Sequence, residues 1–153
     1  MPKEVDVVLV ALTSPVQVGI YEDLKLVKTI QSDEKSSEIL PKIYAELLKE
    51  YDVKNFFYAN GPGSFMAIKI AYIFLKSLSV LKNIPLFATD AFYFNNNQPI
   101  KAIGKLCFVK LRSEIITQKL EIAPIMEFKL PNVLDYSEFS ATASPMYAIG
   151  AVG

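Results

Sequence analysis

The chain has no histidine in 153 residues. That absence removes Ser-His-Asp and Cys-His nucleophilic catalysis and every histidine-ligated metal site. Carboxylates, hydroxyls, lysines, arginine and one thiol are left for chemistry. The one cysteine, Cys107, excludes an intrachain disulfide and suits a reducing cytosol. Neither charge dominates, since 16 Lys and Arg offset 16 Asp and Glu. A balanced chain has no global basic field to hold nucleic acid, so any such role needs a partner to supply the charge. No apolar run reaches the roughly 18 to 20 residues of a membrane span. The run from Ile70 to Leu81 is broken by Lys76. The opening "MPKEVDVVLVALTS" lacks the charged start and long apolar stretch of a signal peptide. A cytoplasmic protein without membrane contact is expected.

What is present is apolar content. At 52% hydrophobic residues, the chain can build one real core with a small appended lobe. Val5 to Leu12 is a β-branched run that reads as a buried central strand. "VQVGIY" and "DLKLVKTI" alternate and read as a hairpin turning near Glu22-Asp23. Ser32 to Ser37 is polar and can cap a helix. Ile39, Leu40, Ile43, Tyr44, Leu47 and Leu48 then recur at helical spacing, with Lys42, Glu46, Lys49 and Glu50 on the opposite side. Pro41 predicts a late start or a bend in that helix. "KNFFYAN" reads as a strand, Ser64 to Leu81 as a long helix and "IPLFATD" as another strand. The order β-β-β-α-β-α-β is an α/β pattern with a mixed sheet.

Phe92 to Pro99, "FYFNNNQP", is turn-rich and reads as a boundary. It divides a lobe of residues 1–92 from one of residues 93–153. Beyond it "KLCFVKL" and "EIITQKLEI" alternate and predict a pair turning at Arg112-Ser113. "MYAIGAVG" predicts one more short strand. No helix and no repeat is seen there, so the second lobe is read as small and strand-rich.

Gly61-Pro62-Gly63-Ser64 lies between a strand and the long helix. A phosphate loop needs Gly-x-x-x-x-Gly-Lys-Ser/Thr, and neither that spacing nor the lysine is here. A dinucleotide fingerprint needs a glycine where Met66 stands. The turn is read instead as a sharp strand-to-helix corner, with Ser64 as cap. In the long helix, Lys69, Tyr72, Lys76 and Ser79 form a narrow polar stripe. Met66, Ile68, Ile70, Ala71, Ile73, Phe74, Leu75, Leu78 and Leu81 fill an arc of roughly 220°, about twice what an ordinary surface helix needs. One sheet face cannot cover so much, which predicts a second contact with a neighbouring helix, a lobe or another chain.

"NGPGSFMAIKIA" resembles the "GPGSFTGLRIG" signature of the TsaB (YeaZ) family, bacterial proteins of the tRNA threonylcarbamoyladenosine pathway. "VLVALTSPVQVGIY", "SSEILPKIYAELL" and "LKNIPLFATDAF" resemble further family motifs in the same order, from Val5 to Phe92. The resemblance implies an actin-like ATPase fold, with a ribonuclease-H-like lobe of mixed sheet and two main helices plus a second lobe reduced here. It implies a non-catalytic scaffold that dimerises with the catalytic subunit TsaD, works with the ATPase TsaE, meets tRNA only through the complex and can also form a homodimer. No cofactor is implied for this chain; ATP and metal belong to the partners. The implied interface maps to Ile39, Ile43 and Leu47 on the first helix and to the second from Phe65 onward, including Ile70 and Phe74.

The departures from the family pattern bear on chemistry. Leu12 stands where an aspartate helps place metal and phosphate. Met66-Ala67 replaces Thr-Gly, and Ser36 replaces a histidine. All weaken catalysis and leave a scaffold role intact. The other readings are a glycoprotease-like peptidase and a nucleotide-binding regulatory protein. Thr13, Ser14 and Ser64 are hydroxyls without an identifiable base. Asp90 and Glu38 can be named as an acid/base pair only if the fold joins them. Cys107 reads as an inert core thiol.

Overall fold

The computed structural model describes residues 2–146. The strand expected over "MYAIGAVG" lies, apart from Met146, outside them. Eight strands and two α-helices are present among the described residues. Strand β1 (Glu4–Val10) is the centre of a five-stranded sheet in the order β3-β2-β1-β4-β5. It pairs antiparallel with β2 (Val16–Glu22) and parallel with β4 (Asp52–Ala59). Strand β3 (Lys25–Ser32) completes the antiparallel meander, and β5 (Leu86–Thr89) lies parallel beside β4. The mixed sheet and the central position of β1 match the expectation. So does the hairpin, whose turn residues Asp23 and Leu24 both have positive φ, as a tight two-residue connection requires.

Successive residues of β1 serve opposite faces. Val5, Val7 and Leu9 enter one core cluster, together with Leu40, Ile43, Tyr44 and Leu47 of α1 (Ser36–Glu50) and Ala71 and Leu75 of α2 (Phe65–Lys82). Val8 and Val10 enter a second cluster on the opposite face. The start of α1 departs from expectation. The helix begins at Ser36, ahead of Pro41, and Lys35 occupies the cap position without a side-chain bond. Pro41 is exposed, so the carbonyl it leaves unpaired one turn earlier lies on the solvent side.

The second face is covered by the chain beyond β5. A 3₁₀ turn over Ala91–Phe94 buries Phe92 and Phe94, so the stretch read as turn-rich contributes aromatic core before its asparagines begin. Strands β6 (Ile100–Lys101), β7 (Leu106–Leu111) and β8 (Glu114–Lys119) form a small antiparallel sheet. The β7-β8 hairpin turns at Arg112-Ser113 as expected.

Beyond β8 the chain becomes a strap that returns across the large sheet. Gln17 donates from Nε2 to the Phe128 carbonyl at 2.7 Å, and Tyr21 donates its hydroxyl to the Pro131 carbonyl at 2.6 Å. Leu26 N–H donates to the Asn132 carbonyl, and Val133 bridges to Lys25 on β3. Tyr136 then donates to the carboxylate of Asp6, which is only 7% exposed and also accepts from Asn55 Nδ2 at 2.8 Å. The Tyr136 ring stacks on Phe57 at 5.3 Å. At the far border Ser140 and Ala88 exchange backbone bonds of 2.8 and 2.9 Å. The strap therefore spans the sheet from β3 to β5.

Candidate functional site

The Gly-Pro-Gly turn sits at the carboxyl end of β4, beside the ends of β1 and β5. Its geometry is set by backbone. Gly61 has φ +121, a region closed to most side chains, and its carbonyl accepts from Ala91 N–H at 2.7 Å. A Cβ on Gly61 would lie 2.6 Å from the Met146 carbonyl and 3.0 Å from Ile68 Cδ1. Gly63 is different: a Cβ there meets only the Leu12 side chain, at 3.3 Å. Ser64 caps α2 by accepting from Ala67 N–H at 3.4 Å. Pro62 is buried and joined to Gly61 through a cis peptide bond.

Leu12 thus lies against the turn at the place where the family pattern has an aspartate. The cleft in front of it, about 410 Å³, is lined mainly by apolar groups, among them Leu12, Phe65, Ile103, Phe108 and Met126. Thr13, Ser64 and Lys101 are its polar members. Among the described residues no three Cys, Asp or Glu side chains are grouped so as to hold a metal ion. The acid/base pair weighed from the sequence is not assembled by any bond: Asp90 accepts from Phe92 N–H and pairs with Lys110, whereas Glu38 stands exposed on the first turn of α1. Cys107 is buried in β7.

The helix faces sort the expected interface residues. Ile43 and Leu47 are in the core together with Leu40 and Tyr44, the centre of the apolar seam of α1. Ile39, Ile70 and Phe74 are half-buried, and Phe65 is exposed. The outward side of α1 is polar, with Lys42, Glu46, Lys49 and Glu50 exposed or half-exposed. On α2 the fully buried side chains are Ile68, Ala71 and Leu75. Tyr72, Phe74 and Leu78 pack half-buried against the core that holds Ala71 and Leu75, while others face outward: Met66 is 60% exposed, Ile73 53%, Val80 69% and Leu81 78%. Met66, Ile70, Ile73, Ser77 and Val80 fall at alternating four- and three-residue steps, so they form one straight stripe on the helix. Val80 is the member that the apolar arc read from sequence misses, although this spacing is legible there.

No helix among the described residues is long and apolar enough to cross a membrane. Four tyrosine hydroxyls are held neutral, Tyr93 among them through its burial. Burial pushes Tyr21 and Tyr44 well above the ordinary phenol value. Burial, and then the hydrogen bond to Asp6, push Tyr136 up to about 12.

These elements define a class by fold: a mixed five-stranded α/β lobe with two helices on one face, joined to a small antiparallel sheet. Comparison with solved structures gives that fold a representative. YeaZ from Pseudomonas aeruginosa superposes with a TM-score of 0.54 at 16% identity, over 76% of this chain. An uncharacterized protein described as similar to the peptidase YeaZ from that organism superposes at 0.56 and 14% identity, over 81% of this chain and 70% of its own. The chain spans 65% of the length of the YeaZ structure. The fold expected from the motif resemblance, that of YeaZ, is thereby met. No protein-family model matches the sequence. No curated protein matches it in sequence either.

Proposed function

We propose that this chain is a non-catalytic accessory subunit of the cytoplasmic complex that makes N6-threonylcarbamoyladenosine beside the tRNA anticodon. In this reading it pairs with the catalytic TsaD subunit, or with a second copy of itself, through the outer face of α2. TsaE and tRNA join through the complex, and ATP and metal stay on the partners. The observation that carries the reading is the exposed apolar side of α2, with Met66, Ile73 and Val80 of the stripe and Leu81 beside it. Such a run of exposed apolar side chains on a single helix marks a contact surface. The shared YeaZ fold supports the choice of partner, and Leu12 against the turn supports a role without phosphate chemistry.

The experiment is co-purification with the cognate TsaD, scored for tRNA modification. Ile73→Glu and Leu81→Glu fold normally, because both side chains face solvent in the free chain. On association each would bury an unpaired charge, at a cost of about 3–5 kcal/mol, enough to dissociate a micromolar complex. Leu47→Glu fails to fold instead, since it puts the charge in the core. If both α2 variants still assemble and support modification like the wild type, the proposal is wrong.

A further inference from the structure

The strap and the face of α2 meet at the Gly-Pro-Gly turn. We infer that the last described strap residues, Ala143 to Met146, are positioning residues for α2: they hold the turn and the first two helical turns, and so set how well the outer stripe is presented. The inference rests on the reading of α2 as the pairing face.

Three ties carry it. The Tyr58 hydroxyl donates to the Ala143 carbonyl, and the Tyr58 ring stacks on Tyr72 of α2 at 6.4 Å. One side chain on β4 therefore contacts strap and helix together. Asn60 engages the strap twice, donating from Nδ2 to the Ser144 carbonyl at 2.9 Å and accepting at its own carbonyl from Met146 N–H at 2.7 Å. At Gly61 the Met146 carbonyl and the Ile68 side chain close in so far that a single added carbon would meet both. Ile68 is the first buried residue of α2. Strap backbone, turn and helix are thus in one packed column, and close packing transmits a displacement rather than absorbing it.

The strap has its own footing. Ser140 is paired to Ala88, and Tyr136 is held by Asp6 across the sheet. It approaches the turn already ordered. Met66 and Ile70, the first members of the stripe, sit in the two helical turns that the column braces. A helix end released from its support must be ordered again on association, and that ordering subtracts from affinity.

The test uses two full-chain variants. Tyr58→Phe removes the hydroxyl and keeps the stacked ring. Asn60→Asp turns the donor facing the Ser144 carbonyl into an acceptor. Amide hydrogen exchange is followed over residues 65–72, with α1 as the internal reference, on the chain alone. Binding to TsaD is then titrated. Faster exchange in residues 65–72 with α1 unchanged, and a Kd weakened about tenfold, is the expected result. Unchanged exchange in residues 65–72, or equal acceleration in α1, overturns the inference. Unchanged binding despite faster exchange overturns its link to presentation. Should Asn60→Asp fail to fold, Tyr58→Phe decides by the same readouts. A wild-type chain that pairs with neither TsaD nor itself sinks the partner reading, while the exchange result still judges the column.

Discussion

Lys110, on β7 of the small sheet, sets its ammonium 2.5 Å from the carboxylate of Asp90 at the end of β5 in the large one. Both side chains are largely buried, and the other Asp90 oxygen accepts from Phe92 N–H at 3.0 Å. A single carboxylate thus starts the aromatic 3₁₀ turn and ties the two sheets together.

Asp90→Asn keeps the capping oxygen and loses the charge. It leaves Lys110 partly buried without its counter-ion, and a loss of about 1–3 kcal/mol is expected in urea unfolding. Asp90→Ala loses the cap as well, and about a further 1 kcal/mol. Lys110→Met costs less than either, because its alkyl stem still packs and the Asp90 carboxylate keeps its bond from Phe92 N–H. Equal stability of Asp90→Asn and the wild type would show the ion pair to be idle.

The two glycines of the turn separate cleanly. Gly61→Ala places a side chain at φ +121 and drives it into the Met146 carbonyl, so a loss of about 2 kcal/mol or more is expected. Gly63→Ala meets the Leu12 side chain at 3.3 Å, a contact that a small shift relieves, and costs less, about 1 kcal/mol. Thermal unfolding of the pair checks the order. A loop built to cradle an anion through both glycines would show no such asymmetry.

Tyr44 lies in the core between α1 and the sheet, edge-on to Phe56 and Phe74 at 5.7 and 5.2 Å. Its hydroxyl has no hydrogen-bond partner among the described residues. Tyr44→Phe removes a desolvated polar group and keeps the ring contacts. A gain of about 1 kcal/mol is expected in chemical denaturation. A loss would reveal a partner for the hydroxyl.

Alkaline pH probes the strap. The Tyr136 phenol titrates at about 12 in the folded chain against an ordinary value of 10.0, so folding favours its neutral form. That contribution is complete below pH 10 and is lost as pH rises toward 12. Stability should therefore fall more steeply over this window in the wild type than in Tyr136→Phe. Urea midpoints measured across it make the comparison. Parallel declines would mean that neither burial nor Asp6 keeps the phenol neutral in the folded chain.

Periodicity reveals local structure. The β1 strand comes from a continuous apolar run, the hairpins and both helices from spacing two or three to four residues apart, and their order defines the mixed sheet. The direction of each helix face does not come from it. Ile43 and Ile73 are equally apolar, yet the sheet takes the first and leaves the second outside. Only knowing how many residues the sheet can cover separates them. The strap left no trace in the sequence, because its contacts are single bonds at very long range. Tyr136 and Asp6 are 130 positions apart, and Tyr21 and Pro131 are 110 apart. Asp90 and Lys110 are visible as charges, and nothing in their neighbours along the chain marks them as a pair.

The strap touches the large sheet at both of its borders, at Lys25 on β3 and at Ala88 on β5. A border strand with idle amides is a template on which a neighbouring molecule can extend the sheet, the first step toward a fibril. Here part of each border is already occupied by the chain's own backbone, and β3 adds exposed Lys25 and Lys28. The guard on both borders against such extension is therefore a segment whose described residues hold a single 3₁₀ turn, Tyr136–Glu138, and no strand or α-helix of its own.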